Sequence, residues 1–216
     1  GQELVQINTG NAIVLDRISY VIGYSELCFG PSLGEGSFGK VYQGTWRQTE
    51  VAIKQLHVHQ LSTEIAAEFE NEAQVMARLR SPKIPQFYGY CMSPHYCLVM
   101  EYMPNGSLYQ VLHNQQPLDW SIRLRIALDI SLGLNFLHQE NILHRDVKSL
   151  NVLLGQNYEA KLADFGLSRI KKEIQSSSTA KNSSGTLFWM APELFSRTTG
   201  TQTKKSDIYS LGVTLW

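Results

Sequence analysis

The chain has 216 residues, 43% of them apolar, which is enough to bury a core in one large domain or two small lobes. Its 19 basic side chains are matched by 19 acidic ones, so there is no cationic surplus of the kind that makes nucleic acid or an anionic membrane the main partner. No apolar run approaches the ~20 residues of a membrane span and no signal peptide opens the sequence, so no membrane span and a cytoplasmic location are expected.

The cysteines, Cys28, Cys91 and Cys97, are odd in number and lack C-x-x-C spacing, which argues against a disulfide framework or a zinc site and reads as plain buried thiols in a reducing compartment. Gly1 at the start and the apolar run "IYSLGVTLW" at the end read as the cut ends of a longer protein. Residues 1–25 carry no motif and read as an N-terminal flank or linker.

From Leu27 to Leu56 the sequence is short-ranged, β-branched and punctuated by glycine, which predicts three strands of an antiparallel sheet. Within it, "GEGSFGKV" (Gly34 to Val41) satisfies two glycine patterns at once. G-x-x-x-x-G-K is the phosphate loop of nucleotide-binding ATPases, but that loop needs Ser or Thr where Val41 stands. G-x-G-x-x-G of the dinucleotide type requires the glycines to open a helix, and here they open a strand. What remains is a glycine turn between two strands, close enough over a phosphate chain because Gly34, Gly36 and Gly39 project nothing. An ordinary glycine hairpin is the competing reading.

"VAIK" places Lys54 on the third strand. A helix over Glu64 to Leu79 follows, with Ile65, Phe69, Met76 and Leu79 on one face and Glu72 in register with them. An unpaired carboxylate on a buried face costs several kcal/mol, so Glu72 needs a cation or a place at the edge of that face. Lys54 is the natural partner; Glu64, Glu68 and Glu70 are the competing acids, and none of them is in register.

Strands are expected over Gln86–Tyr90 and Tyr96–Met100, and "EYMPNGSL" carries turn chemistry at Pro104, Asn105 and Gly106 that marks a lobe boundary. Beyond it Ile122, Ile126, Ile130, Leu134 and Leu137 share one face of a long helix from Leu118 to His138. The Ser-rich stretch Gln175 to Thr186 reads as a mobile surface loop.

"HRDVKSLN" follows that helix, then "DFG", then "APE". The ordered set of glycine turn, "VAIK", "HRDVKSLN", "DFG" and "APE" resembles the eukaryotic protein kinase family from about Leu27 to Trp216. The resemblance implies an α+β, two-lobed fold, with a small antiparallel sheet lobe carrying one helix (26–103) and a larger, mainly helical lobe (104–216) that the family continues past Trp216. The arginine that partners the Glu193 position in the family belongs to that continuation.

It also implies ATP as cofactor, with Mg2+ or alternatively Mn2+. Lys54 would hold the α- and β-phosphates and Glu72 would orient it. Asp164 and Asn151 would carry the metal, Asp146 would accept the hydroxyl proton and Lys148 would touch the γ-phosphate. Nucleotide contacts would come from Leu33, Gly34, Glu35, Gly36, Ser37, Phe38, Gly39, Val41, Ala52, Lys54, Met100, Glu101, Met103 and Leu153. By the same resemblance Lys40 is not the phosphate lysine, His144 and Phe165 pack with Met76 and Phe87, and Asp207 anchors the catalytic loop.

Lys148 two places after Asp146 matches serine/threonine kinases, while "FWMAPE" and "EFENEAQVM" have a tyrosine-kinase flavour. The mixture resembles the tyrosine-kinase-like group, near Raf and mixed-lineage kinases. Dual-specificity or tyrosine activity, and a pseudokinase or scaffold that signals by binding, are the alternatives. Protein substrates are the implied partners. Arg145 suggests control by a phosphate on Ser176, Ser177, Ser178, Thr179, Ser183 or Ser184, added by an upstream kinase or by self-phosphorylation.

Overall fold

The computed structural model describes residues 20–36, 38–58, 61–114, 117–166, 184–195 and 200–216. Five antiparallel strands, β1 (Leu27–Glu35), β2 (Gly39–Trp46), β3 (Thr49–Leu56), β4 (Phe87–Cys91) and β5 (Cys97–Glu101), form one sheet in the order β1-β2-β3-β5-β4. Strands β4 and β5 begin one residue later than the sequence pattern predicts.

The β2–β3 connection is a two-residue hairpin in which Arg47 (φ 46°) and Gln48 (φ 65°) both take the left-handed conformation, at about 1–2 kcal/mol each for residues with a Cβ. Arg47 offsets this locally: its guanidinium lies 4.8 Å over the Trp46 ring and its Nε donates to Glu26 at 3.2 Å. The Glu26 carboxyl is held below its usual pKa, first by the Gly23 amide and then by the Trp46 indole.

Alternation along the strands gives the sheet two different faces. Val51, Ile53 and Val99 pack with Leu27, Cys91 and Cys97 on one side. Ala52, Lys54 and Leu56 point to the other, where the register sets Lys54 opposite both Val41 and Leu98, and Ala52 opposite Met100. The helix α1 (Thr63–Arg78), capped by Ser62, covers that second face. Its buried stripe is Phe69, Ala73 and Ala77; Ile65 and Met76 flank it, and Glu72 is half-buried at its edge. The alanines shift the centre of contact by one residue from the predicted stripe, because a small side chain lets the helix approach where a long one would hold it off. Phe69 meets Tyr90 and Tyr96 edge-on, at 5.9 and 5.4 Å.

Residues Tyr20–Ser25, expected as part of a flank or linker, pack against this lobe. Val21 pairs in parallel with Tyr90, Ile22 N–H donates to the Tyr90 carbonyl at 2.8 Å, and Tyr90 N–H donates to the Tyr20 carbonyl at 2.9 Å. The flank thereby covers the free edge of β4. Gly89 makes the approach feasible, since a Cβ there would collide with the Tyr20 carbonyl and the Ile22 side chain.

The second lobe comprises α2 (Leu108–Leu112), α3 (Trp120–Gln139), the hairpin β6 (Val152–Leu154) and β7 (Ala160–Leu162), and α4 (Lys204–Leu215). Ile126, Ile130, Leu134 and Leu137 of α3 are buried with Val147, Val152, Leu154, Leu162 and Phe165, the predicted face. At about 1.5–3 kcal/mol per fully buried large aliphatic side chain, this cluster holds the lobe.

The lobes are also joined by polar contacts. The connection from α1 to β4 lays Lys83 across α3: its ammonium pairs with the buried Asp129, and its carbonyl accepts from Leu162 N at 2.9 Å. The other Asp129 oxygen accepts from Ala160 N at 2.9 Å. Asp129→Ala should therefore lower domain stability by roughly 1–3 kcal/mol, the cost of leaving the Ala160 amide buried without an acceptor, while Lys83→Ala should cost more because it leaves the Asp129 carboxylate buried without its cation. Urea denaturation followed by tryptophan fluorescence would show the difference.

Candidate functional site

The loop His144–Asn151 is fixed from a distance. Asp207, in the first turn of α4 and 2% exposed, accepts from His144 N at 2.9 Å and Arg145 N at 2.8 Å. Its Oδ2 also lies 2.9 Å from His138 Nε2 at the end of α3. A carboxylate taken out of water costs several kcal/mol unless donors satisfy it, and these three do. Arg145 has φ 69°, so the bonds hold a backbone conformation that a side chain disfavours.

His144 is fully buried. Its Nδ1 accepts from Asp146 N at 3.2 Å, which places the ring proton on Nε2, donated to the Ala163 carbonyl at 2.9 Å. Ala163 N donates to the Asn151 carbonyl at 2.8 Å. The residue preceding Asp164 is thus clamped on both sides by the loop that contains Asp146.

Asp146 is held at both oxygens. Lys148 Nζ forms an ion pair with Oδ1 at 2.9 Å, and Asn151 Nδ2 donates to Oδ2 at 2.9 Å and to the Asp146 carbonyl at 2.7 Å. Across the cleft Lys54, 7% exposed, donates to Asp164 Oδ1 and Oδ2 at 2.7 and 2.6 Å and lies 5.2 Å over the Phe38 ring. Asp164 itself has φ 64°.

The structure therefore pairs Lys54 with Asp164. Glu72, the partner suggested by helix register, turns its carboxylate toward the segment after Asp164: Oε2 is 4.0 Å from where a Cβ on Gly166 would lie.

Two hard oxygen donors are available on the His144–Asn151 loop and the segment after it, the Asp164 carboxylate and the Asn151 side-chain carbonyl, whose amide nitrogen is committed to Asp146. That set suits magnesium, which takes few protein ligands and completes its shell with phosphate and water. Among the described residues no group of three or more His, Cys, Asp or Glu forms a separate metal site.

Val41, Ala52 and Met100 share the Lys54 face of the sheet by register, and Leu153 lies opposite Lys161 on the small hairpin. Met103 is buried, and Leu33 is exposed on β1. The glycine turn closes through Gly36 N donating to the Gly39 carbonyl at 3.0 Å, and His57 Nε2 lies 2.9 Å from the Gly36 carbonyl. Glu35 and Lys40 pair with each other at 3.9 Å, and Lys40 lies over the Tyr42 ring, away from Lys54. Gly34 and Phe38 belong to the same turn, with Phe38 tucked inside.

Ser37 lies outside the described residues, as do Ser176, Ser177, Ser178, Thr179 and Ser183. The segment Ser184–Trp189 forms a 3-10 turn, and Ser210 of α4 donates to the Trp189 carbonyl at 2.7 Å. His144 and Phe165 are 6.3 Å apart, and Met76 packs against both the cluster holding Phe87 and the one holding Phe165.

Two functional contacts were not anticipated. His138 reaches Asp207 from the end of α3, and Lys161 donates to Glu101 at 2.6 and 2.8 Å, tying the strand between the lobes to β7. A polar residue at the end of an apolar helix stripe is the only signal His138 gave.

The sequence matches the family described as protein tyrosine and serine/threonine kinase over residues 27–216. Among curated relatives, the probable serine/threonine-protein kinase drkB of Dictyostelium discoideum is 41% identical over 199 residues, 90% of this chain and 28% of that protein. The probable serine/threonine-protein kinase SIS8 of Arabidopsis thaliana is 43% identical over 197 residues, 89% of this chain and 19% of that protein. The serine/threonine-protein kinase STY46 of the same plant is 38% identical over 197 residues, 90% of this chain and 33% of that protein. The chain thus spans a third or less of the length of these three relatives.

Asp207→Asn keeps the shape but replaces one acceptor by a donor. Exchange of the His144 and Arg145 amides should accelerate about tenfold or more, corresponding to roughly 1–3 kcal/mol of lost loop anchoring, and hydrogen–deuterium exchange by mass spectrometry reads it.

Proposed function

Because the chain belongs to the protein tyrosine and serine/threonine kinase family, we propose that it transfers the γ-phosphoryl group of ATP to serine and threonine hydroxyls of protein substrates. The observation that carries this reading is the continuous polar chain Lys148–Asp146–Asn151 facing Lys54–Asp164 across one cleft. Phosphoryl transfer asks the protein for positioning and charge compensation more than for covalent chemistry, and these groups supply both.

Asp146 takes the role of accepting the proton of the attacking hydroxyl. Its orientation is fixed at both oxygens, so it presents one geometry rather than a set of rotamers. Lys148, beside it, offers a cation to the γ-phosphate, the feature that favours serine and threonine over tyrosine. The three relatives reported above carry serine/threonine in their names and support the same choice. Lys54 is at hand for the α- and β-phosphates once Asp164 turns to the metal, with Glu72 then its orienting partner. Magnesium, or manganese in its place, bound by Asp164 and Asn151, would neutralise the charge that develops on the phosphates. Val41, Ala52, Met100, Met103 and Leu153 bound the apolar slot for the base.

Control by phosphate on the segment Ser176–Ser184 belongs to the same reading, with Arg145 as the receiving cation; an upstream kinase or self-phosphorylation supplies it. Cytoplasmic placement is part of the proposal too. It is supported by three cysteines that are all free thiols and, among the described residues, by no helix long and apolar enough to cross a membrane.

Lys54→Met and Asp164→Ala should each lower the rate of phosphate transfer at least ~100-fold, about 2.7 kcal/mol of transition-state stabilisation, in the full-length protein. Lys40→Ala should leave the rate within a few-fold. Radiolabelled ATP with phosphoamino-acid analysis tests both points: label on serine and threonine is expected. Label on tyrosine would overturn the assignment in favour of tyrosine specificity, absence of transfer by the unsubstituted protein would overturn it in favour of signalling by binding alone, and transfer unaffected by both of the first two variants would remove Lys54 and Asp164 from the reaction.

A further inference from the structure

Two nucleophilic groups lie outside the catalytic cleft and have no part in phosphoryl transfer. Cys91 ends β4, Cys97 begins β5, and the two are directly opposed in the antiparallel register. Both side chains point to the sheet face away from α1, fully buried among Ile22, Leu27, Val51, Ile53 and Val99. Directly opposed residues in an antiparallel pair have Cα atoms about 4.5–5.5 Å apart, inside the ~4.4–6.8 Å range that a disulfide spans.

We propose that Cys91 and Cys97 are a reversible dithiol–disulfide site, oxidised by hydrogen peroxide and restored by a dithiol reductant. The two thiols are not equivalent. The Cys97 thiol hydrogen-bonds to the Cys91 sulfur, which lowers the Cys91 pKa below the usual thiol value against the opposing effect of burial. The same contact, followed by burial, pushes Cys97 up. Cys91 is assigned as the attacking sulfur and Cys97 as the resolving one, an order that the Cys97→Ser variant reads directly.

The Cys91 thiolate attacks one peroxide oxygen. The O–O bond breaks, Cys91 becomes a sulfenic acid, and the departing hydroxide is protonated to water. The Cys97 sulfur then attacks the Cys91 sulfur, the S–O bond breaks, and the hydroxyl leaves as a second water with the Cys97 proton. Two thiols and one peroxide thus give one disulfide and two waters. A metal role is the weaker use of these sulfurs, because among the described residues no third His, Cys, Asp or Glu joins them in a cluster.

Access is provided by the flank. Tyr24 packs on the cluster that holds both cysteines, with its ring 5.4 Å from His95 in the β4–β5 connection. Among the described residues the flank's hold on β4 consists of two backbone hydrogen bonds, to and from Tyr90, and the buried Ile22 side chain. A sheet edge held this way opens locally at far less cost than global unfolding. Cys28, by contrast, is exposed on β1, opposite Thr45, and serves as an internal reference for oxidant exposure.

The test is peptide mass mapping of the full-length protein after graded hydrogen peroxide, with free thiols alkylated under denaturing conditions. A Cys91–Cys97 linked peptide that disappears on treatment with dithiothreitol is expected in most molecules. In Cys97→Ser the linkage is lost and Cys91 is captured by dimedone as sulfenic acid. Recovery of both residues as alkylated thiols from folded protein, at a peroxide dose that has fully oxidised Cys28, overturns the proposal. So does progression of Cys91 to the sulfinic acid without a linked peptide. The measurement on the unsubstituted chain stands even if the serine variant does not fold.

Discussion

A carboxylate buried under two backbone amides and an imidazole organises the second lobe. Asp207 binds His144, Arg145 and His138, groups more than sixty residues earlier in the chain. Its charge is tolerable in the interior only while all three donors are in place, so the ends of α3 and α4 and the loop between β6 and α3 must adopt one arrangement together. From that arrangement the rest follows by short bonds: His144 to Ala163, Ala163 to Asn151, Asn151 to Asp146. Each link places a reacting group relative to one already fixed.

The first lobe contributes by a different device. Antiparallel register, rather than polar contacts, puts Val41, Ala52, Lys54 and Met100 on one face, because a strand alternates its side chains and paired strands share that alternation. The lobes then meet through three ion pairs drawn from different parts of the chain: Lys54 with Asp164, Lys83 with Asp129, and Lys161 with Glu101. All three bring a lysine to an acid across the lobe junction, and all include at least one group largely withdrawn from water. The junction is thereby oriented by charge, while each lobe is held by its own apolar cluster.

Pairing Lys54 with Asp164 has a chemical meaning. With both Asp164 oxygens on the ammonium, the lysine and the carboxylate neutralise each other in the cleft. In the proposed reaction a phosphate would take the lysine and a divalent ion the acid, so binding would exchange this one ion pair for two. Glu72 at the edge of α1, already turned toward Gly166, is within the same neighbourhood.

Local pattern alone determined a large part of this protein. Period-two alternation and glycine punctuation located β1, β2 and β3, the four- and three-residue steps of Ile126, Ile130, Leu134 and Leu137 located α3, and the order of short motifs identified the family. These are properties that neighbouring residues express by themselves, through backbone sterics and the burial of one face. Only the tertiary structure decided the rest: that Val21 bridges to the edge of β4, that Ala73 and Ala77 bring α1 close, that Lys54 meets Asp164, that His138 serves Asp207, and that Asp129 and Glu101 receive lysines from the other side of the junction. Cys28 emerging exposed, with Cys91 and Cys97 buried face to face, belongs here too. A long-range pair of charges or thiols leaves no periodic trace, because what makes it favourable is the removal of water around both partners, and that happens only once distant segments have packed.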